Sequence, residues 1–188
     1  MKTFKNLFLV ALAFFTATVF AQDYKVNTET STLKWNGKKV TGEHYGFINL
    51  KSGEFTVKDK KITSGEFVID MTSLTVEDLE GEWRDKLTGH LNSDDFFGTA
   101  DHPTAKLVIT KSGTFKNGVA QVTGNLSIKG KTHPVTFNVK NEGGVYTSTI
   151  TVDRTLYDVR YGSDKFFDNL GDKTIYDEFT LEVTLKTK

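Results

Sequence analysis

The stretch "VAQVTGNLSI", residues 119–128, places Ala120, Val122, Gly124, Leu126 and Ile128 at every second position, with Gln121, Thr123, Asn125 and Ser127 between them. Successive side chains of a β-strand point to opposite faces, so this spacing describes a strand with one dry face and one wet face. The next segment, "THPVTFNVK" (132–140), repeats the pattern with His133, Val135, Phe137 and Val139. The last segment does so again, Ile175, Phe179, Leu181, Val183 and Leu185 standing opposite Tyr176, Glu178, Thr180, Glu182 and Thr184. One-sided strands of this kind belong to antiparallel sheets that cover a core on one face.

The joints carry hairpin chemistry. Asn117-Gly118 suits the positive φ angles of a two-residue turn, and Lys129-Gly130-Lys131 and Glu142-Gly143-Gly144 mark the next two reversals. Three consecutive hairpins predict an antiparallel meander. Upstream, "TLKWNGKKV" (32–40), "EHYGFINLKSGEFTV" (43–57) and "KITSGEFVIDM" (61–71) repeat the theme, with a turn at Asp59. Two of these segments change parity midway: Ile48 and Leu50 give way to Phe55 and Val57, and Ile62 gives way to Phe67 and Ile69. A one-residue slip turns a strand inside out, so bulges are expected at Gly53 and Gly65. Strands bent in this way predict a barrel.

One segment has a different period. In "VEDLEGEWRDKLTGHL" (76–91), Leu79, Trp83, Leu87 and Leu91 recur every four positions among charged residues. This predicts one short amphipathic helix around 76–91, capped by Thr75. His90 falls in its last turn, Asn92-Ser93-Asp94-Asp95 reverses the chain, and Phe96 and Phe97 plug the corner against the core. The spacing of His90, Asp94 and Asp95 matches no metal-binding pattern, so neither a metal nor a cofactor is expected.

Composition narrows the function. The first residues, "MKTFKNLFLVALAFFTATVFA", join Lys2 and Lys5 to an apolar run from Leu7 to Phe20 that is short for a membrane span. A cleaved signal peptide over 1–21 is expected, then one domain over 22–188, periplasmic or secreted, with no transmembrane segment after cleavage. The chain has no Cys, so its stability must come from burial and sheet hydrogen bonds rather than disulfides. Formal net charge is +0, and loss of Lys2 and Lys5 leaves 22 basic against 24 acidic residues, or −2. That balance argues against nucleic acid as a partner. No G-x-S-x-G or H-E-x-x-H motif is present, so no catalytic residues are assigned.

Four segments carry a resemblance in this order: "FVIDMTSLTVED" (67–78), "LTGHLNSDDFFGTADHPTAKLVI" (87–109), "VTGNLSIKGKTHPVTFNV" (122–139) and "VDRTLYDVRYGS" (152–163). Together they resemble the YceI-like family of bacterial periplasmic proteins. The most specific element is His90, Leu91, Ser93, Asp95, Phe96 and Phe97 followed by Pro103. The resemblance implies an all-β protein, an extended eight-stranded antiparallel barrel similar to lipocalins. It also implies a polyisoprenoid or other long-chain lipid held inside the barrel, as family members hold one, often as homodimers.

The dry face offers Trp35, Ile69, Leu107, Ile109, Leu126, Ile128, Val135, Phe137, Val139, Ile150, Val152, Phe179 and Leu181 as the lining of an apolar tunnel, with His44 and Phe47 of "GEHYGF" beside them. His44 and His133 are the polar exceptions. Arg154 and Arg160, in a loop rich in Asp and aromatic residues, suit an acidic headgroup. An eight-stranded barrel is near the size at which the interior is either filled or opened for one ligand, and alternation does not separate the two. The expected function is an exported carrier that shields an apolar chain without covalent chemistry. Two alternatives stay open: an enzyme using His44 or His133 for proton transfer, and a structural envelope protein with a filled barrel.

Overall fold

A computed structural model describes residues 20–188. The expected signal peptide lies, apart from Phe20 and Ala21, outside the described residues. The strands are β1 (Gln22–Lys25), β2 (Thr32–Lys39), β3 (Gly42–Phe47), β4 (Asn49–Lys58), β5 (Lys61–Asp70), β6 (Thr104–Ser112), β7 (Val119–Ile128), β8 (Lys131–Glu142), β9 (Val145–Asp153) and β10 (Ile175–Lys186). They form one antiparallel sheet in the order β1-β4-β5-β6-β7-β8-β9-β10-β2-β3.

Ten strands occupy eight rows. β10 pairs with β2 along most of its length, and its end meets the β1 row through a Val26–Thr187 bridge and the Asn27 N–H donating to Lys186 O at 2.7 Å. β1 pairs with β4 and β2 with β3, and only Ile48 separates β3 from β4. β1 and β2 are therefore one interrupted row, β3 and β4 another, and the sheet closes on itself as the expected eight-stranded barrel. Beyond β5 a single 3₁₀ turn (Met71–Ser73) leads into residues 74–78, which run along β3. The Thr75 N–H donates to Phe47 O and the Glu77 N–H to Tyr45 O, both at 2.9 Å.

The hairpins follow their turn residues. β4–β5, β7–β8 and β8–β9 reverse in two residues each, Asp59-Lys60, Lys129-Gly130 and Gly143-Gly144, and all six have positive φ. Asn117 (φ 50°) and Gly118 (φ 78°) make the same reversal between Lys116 and Val119, at the β6–β7 connection. The mirror-image turn matches the right-handed twist of the flanking strands.

Two local expectations are corrected. The register slips lie at Lys51 on β4 and Thr63 on β5, not at Gly53 and Gly65. The glycines serve space instead: a Cβ on Gly53 would stand 3.0 Å from Phe67 Cδ1, and one on Gly65 3.0 Å from Ile109 Cγ1. The helix, α1, spans Gly81–Asn92 rather than 76–91, and Thr75 does not cap it. The Thr75 hydroxyl oxygen accepts from Phe47 N–H and the Asp78 carboxylate from Tyr45 N–H, so these side chains pair with a strand edge rather than a helix end. That pairing satisfies otherwise bare backbone donors of β3, a stronger demand than the helical period. Trp83 is 71% exposed as a result, and among α1 residues only Leu91 is fully buried.

Candidate binding tunnel

The barrel interior is lined by the inward positions of every row. β7 shows this plainly, with Ala120, Val122, Gly124, Leu126 and Ile128 buried in strict alternation. The opposite wall differs: Phe179, Leu181, Val183 and Leu185 of β10 point inward yet are only half-buried. Inward side chains that keep exposure mean the interior is not filled.

Two cavities account for it. One, of about 80 Å³, is lined among others by Phe55, Phe67, Leu107, Phe137, Tyr146 and Val183. The second, of about 100 Å³, is lined among others by Trp35, Leu74, Phe96, Phe97, Leu126 and Phe179. Ile69 and Leu181 line both, so the cavities meet at these two side chains. One water needs roughly 10–15 Å³ on this measure, so there is room for several, but the lining is almost wholly apolar and gives them few partners. Such a space favours an apolar guest.

Most of the sequence-derived lining residues face these cavities. Leu107, Ile109, Phe137, Val139 and Ile150 line the first, Trp35, Leu126, Ile128, Val152 and Phe179 the second, and Ile69 and Leu181 both. Three residues stand elsewhere and are corrected. His44 lines neither cavity but sits in a recess beside Leu79, Trp83 and Leu87, its Nδ1 2.7 Å from Asp78 Oδ2. Phe47 is 42% exposed on the outer surface. Val135 packs on the core without lining either cavity. His44 and Phe47 lie on β3 where it pairs with residues 74–78, and the parity of that strand is not legible from "GEHYGF".

The ends are differently built. At one end Tyr24 stacks on Phe55 with ring centroids 5.0 Å apart, and Tyr146 meets Phe55 edge-on at 4.8 Å. Burial, with Tyr24 beside it, pushes the Tyr146 hydroxyl up to about 12. The other end is covered by residues from outside the strands: Leu74 after β5, Leu91 on α1, and the Phe96–Phe97 corner, buried as expected. The Trp35 Nε1–H donates to Thr75 O at 2.9 Å, fastening the 74–78 segment, and a Cβ on Gly46 would run into that same carbonyl. His90 is held edge-on between Phe96 at 5.6 Å and Tyr161 at 4.3 Å. Among the described residues no group of three His, Cys, Asp or Glu side chains can hold a metal.

One charge borders the tunnel. Arg154, 2% exposed, follows β9 and lines the second cavity. Its Nη1 donates to Val159 O at 2.8 Å, Nη2 to Ile175 O at 2.9 Å and Nε to Tyr176 O at 3.1 Å. Burial lowers its pKa while Asp177 and Asp153 act the other way. Asp177 Oδ1 stands 3.8 Å from Nη2, and Lys165 Nζ sits 3.0 Å from both Asp153 Oδ2 and Asp177 Oδ2. From the sequence Arg154 reads as a loop residue suited to an acidic headgroup, not as part of a buried wall. The available signal was Asp177, which interrupts the apolar alternation between Ile175 and Phe179.

A model of the YceI-like domain matches residues 24–187. The chain belongs to the YceI-like family. Among relatives of this YceI-like chain, a UPF0312 protein of Vibrio campbellii is 34% identical over 148 residues, 74% of this chain and 75% of that protein. One of Shewanella denitrificans is 33% identical over 129 residues, 66% of this chain and 65% of that protein. Among solved structures, Burkholderia cenocepacia BcnA superposes with a TM-score of 0.66 at 22% identity, covering 85% of this chain and 98% of that one. A structure from Saccharophagus degradans, described as a polyisoprenoid binding domain, superposes with a TM-score of 0.56 at 14% identity over 86% of this chain and 95% of that one. At these identities the structures establish the shared fold.

Proposed function

We propose that this YceI-like protein is an exported carrier that sequesters a long apolar chain, a polyisoprenoid or related lipid, inside its barrel. The observation that carries this reading is the pair of apolar cavities joined at Ile69 and Leu181. A filled structural barrel leaves no such space, since protein interiors otherwise pack to crystal-like density. The Saccharophagus neighbour described as polyisoprenoid-binding supports the ligand class, and the signal-like residues 1–21 support export. Binding rather than proton transfer is favoured because His44 and His133 are not part of either cavity's lining. The homodimer implied by the family resemblance is part of the proposal.

Native mass spectrometry of protein taken from its own envelope, followed by lipid extraction, is the test. A co-purifying long-chain lipid is expected, and the same spectrum reads the oligomeric state. Delipidated protein should gain thermal stability on adding solanesol, because a ligand that binds only the folded state stabilises it by mass action. No bound lipid and no thermal shift with any long-chain lipid would overturn the reading.

A further inference from the structure

We infer that the barrel is open at its side, between β8 and β9, and that this seam is the route by which an apolar chain enters and leaves the tunnel. The inference rests on the carrier reading above. The pairing of the two strands carries it. β8 is in register with β7 from Ile128↔Lys131 to Val119↔Lys140, its whole length but for the last two residues, and β9 is in register with β10 as far as Asp153. Between themselves β8 and β9 pair only from Glu142↔Val145 to Val139↔Ser148. Continued, that register would set Phe137 opposite Ile150 and Val135 opposite Val152, but the pairing stops before them. The Ser148 hydroxyl, donating to Asn138 O at 2.8 Å, is the last bond of the zipped part.

Pro134 fits this arrangement. A proline within a strand removes a ladder donor and is tolerated where the strand has an unpaired edge, which β8 has here on its β9 side. Further along, the seam is stoppered by Tyr157, whose buried ring meets His133 edge-on at 5.3 Å. Between Ser148 and Tyr157 no ladder pairing joins the two strands among the described residues.

Outside this stretch lies a depression of about 640 Å³ whose lining includes Asn138, Lys140, Thr149 and Glu182. Phe137, Thr147, Ser148 and Val183 line both that depression and the first interior cavity. Thus the outer space and the tunnel share one thin partition of side chains. A second outer depression, near residues 28–33 and 47–50, also shares Leu33 and Leu50 with the interior. There, however, Leu33 is 3% and Leu50 6% exposed, and the Ile48 N–H donates to Leu33 O at 3.0 Å across the gap. Passing a chain through that wall, or through any full ladder, requires breaking backbone hydrogen bonds. Passing it through the seam breaks no ladder pair and displaces side chains, Phe137 and the Ser148 hydroxyl bonded to Asn138 O among them.

The chain has no native cysteine, so Asn138→Cys with Thr149→Cys introduces one thiol pair, on two exposed outer positions that flank the seam. Bridging the pair with a short bis-maleimide, and following all-trans-retinol uptake and release by stopped-flow fluorescence in the full mature chain, tests the route. Bridging should slow both rates by about tenfold or more while Kd stays within about twofold, since blocking a path changes kinetics and not equilibrium. The same bridge on Thr123→Cys with Thr136→Cys, across the closed β7–β8 ladder, should leave the rates unchanged. Equal rates with and without the Asn138–Thr149 bridge would overturn the portal and leave the carrier reading intact. Failure of the unbridged protein to take up retinol or solanesol would overturn both.

Discussion

Ile69 on β5 and Leu181 on β10 border both interior cavities and stand between them. Their bulk sets whether one long chain can occupy both cavities or two short ones must occupy one each.

Leu181→Trp should therefore divide the tunnel. Affinity for solanesol is expected to fall by about tenfold or more, while a ten-carbon isoprenoid alcohol, which need not pass the waist, loses less, because the added ring overpacks that point. Titration of both ligands against the variant checks this. Equal losses for the two would show that the cavities do not act as one long site.

Arg154 is a different case, because its guanidinium organises the wall it belongs to. Arg154→Ala leaves the carbonyls of Val159, Ile175 and Tyr176 without their donor and Asp177 without its nearest buried cation. Breaking a buried, fully hydrogen-bonded charge in this way costs about 3–5 kcal/mol. Arg154→Lys should recover little of it, since an ammonium lacks the planar fork that reaches three carbonyls in different directions. Urea unfolding of the two variants decides the point.

Asp78 ties residues 74–78 to β3 and gives the fold an acid limit. Burial raises its pKa, but the Tyr45 N–H and His44 outweigh it, and the net shift is downward from 3.8. A carboxyl with a depressed folded pKa contributes stability that is complete above its unfolded pKa and lost as pH falls through the folded value. Wild type should thus lose this contribution as pH drops below 3.8. Asp78→Asn should be less stable at neutral pH by about 1 kcal/mol and show a shallower decline in acid. Melting temperature against pH for both proteins reads the difference.

Tyr157 offers the opposite sign. Its ring is 1% exposed, and its hydroxyl, pushed up to about 12 by burial with Asp153 nearby, has no hydrogen-bond partner among the described residues. Tyr157→Phe keeps the contact with His133 and removes an unsatisfied polar atom, so stability should be unchanged or raised by about 1 kcal/mol. A loss larger than that would mean the hydroxyl has a partner in solution.

By itself the sequence determined most of the strands, their turns and, β3 apart, their inward faces. These are local matters: a period of two assigns Val122, Leu126 and Phe137 to one face, and Asn117-Gly118 or Gly143-Gly144 adopts positive φ wherever it stands. Corner elements such as Phe96 and Phe97 were legible for the same reason, being apolar residues at the end of a polar turn. Tertiary structure decided the rest. Residues 76–78 fall within the helical period, yet they pair along β3, because its edge presents N–H and C=O groups that only a neighbouring segment can satisfy. Arg154 reads as a surface loop residue until Val159, Ile175, Tyr176 and Asp177 are brought around it. Whether the barrel is filled or hollow, and where β8 parts from β9, depends on summed side-chain volume and on strand pairing across distant rows. Alternation along any single strand is blind to both.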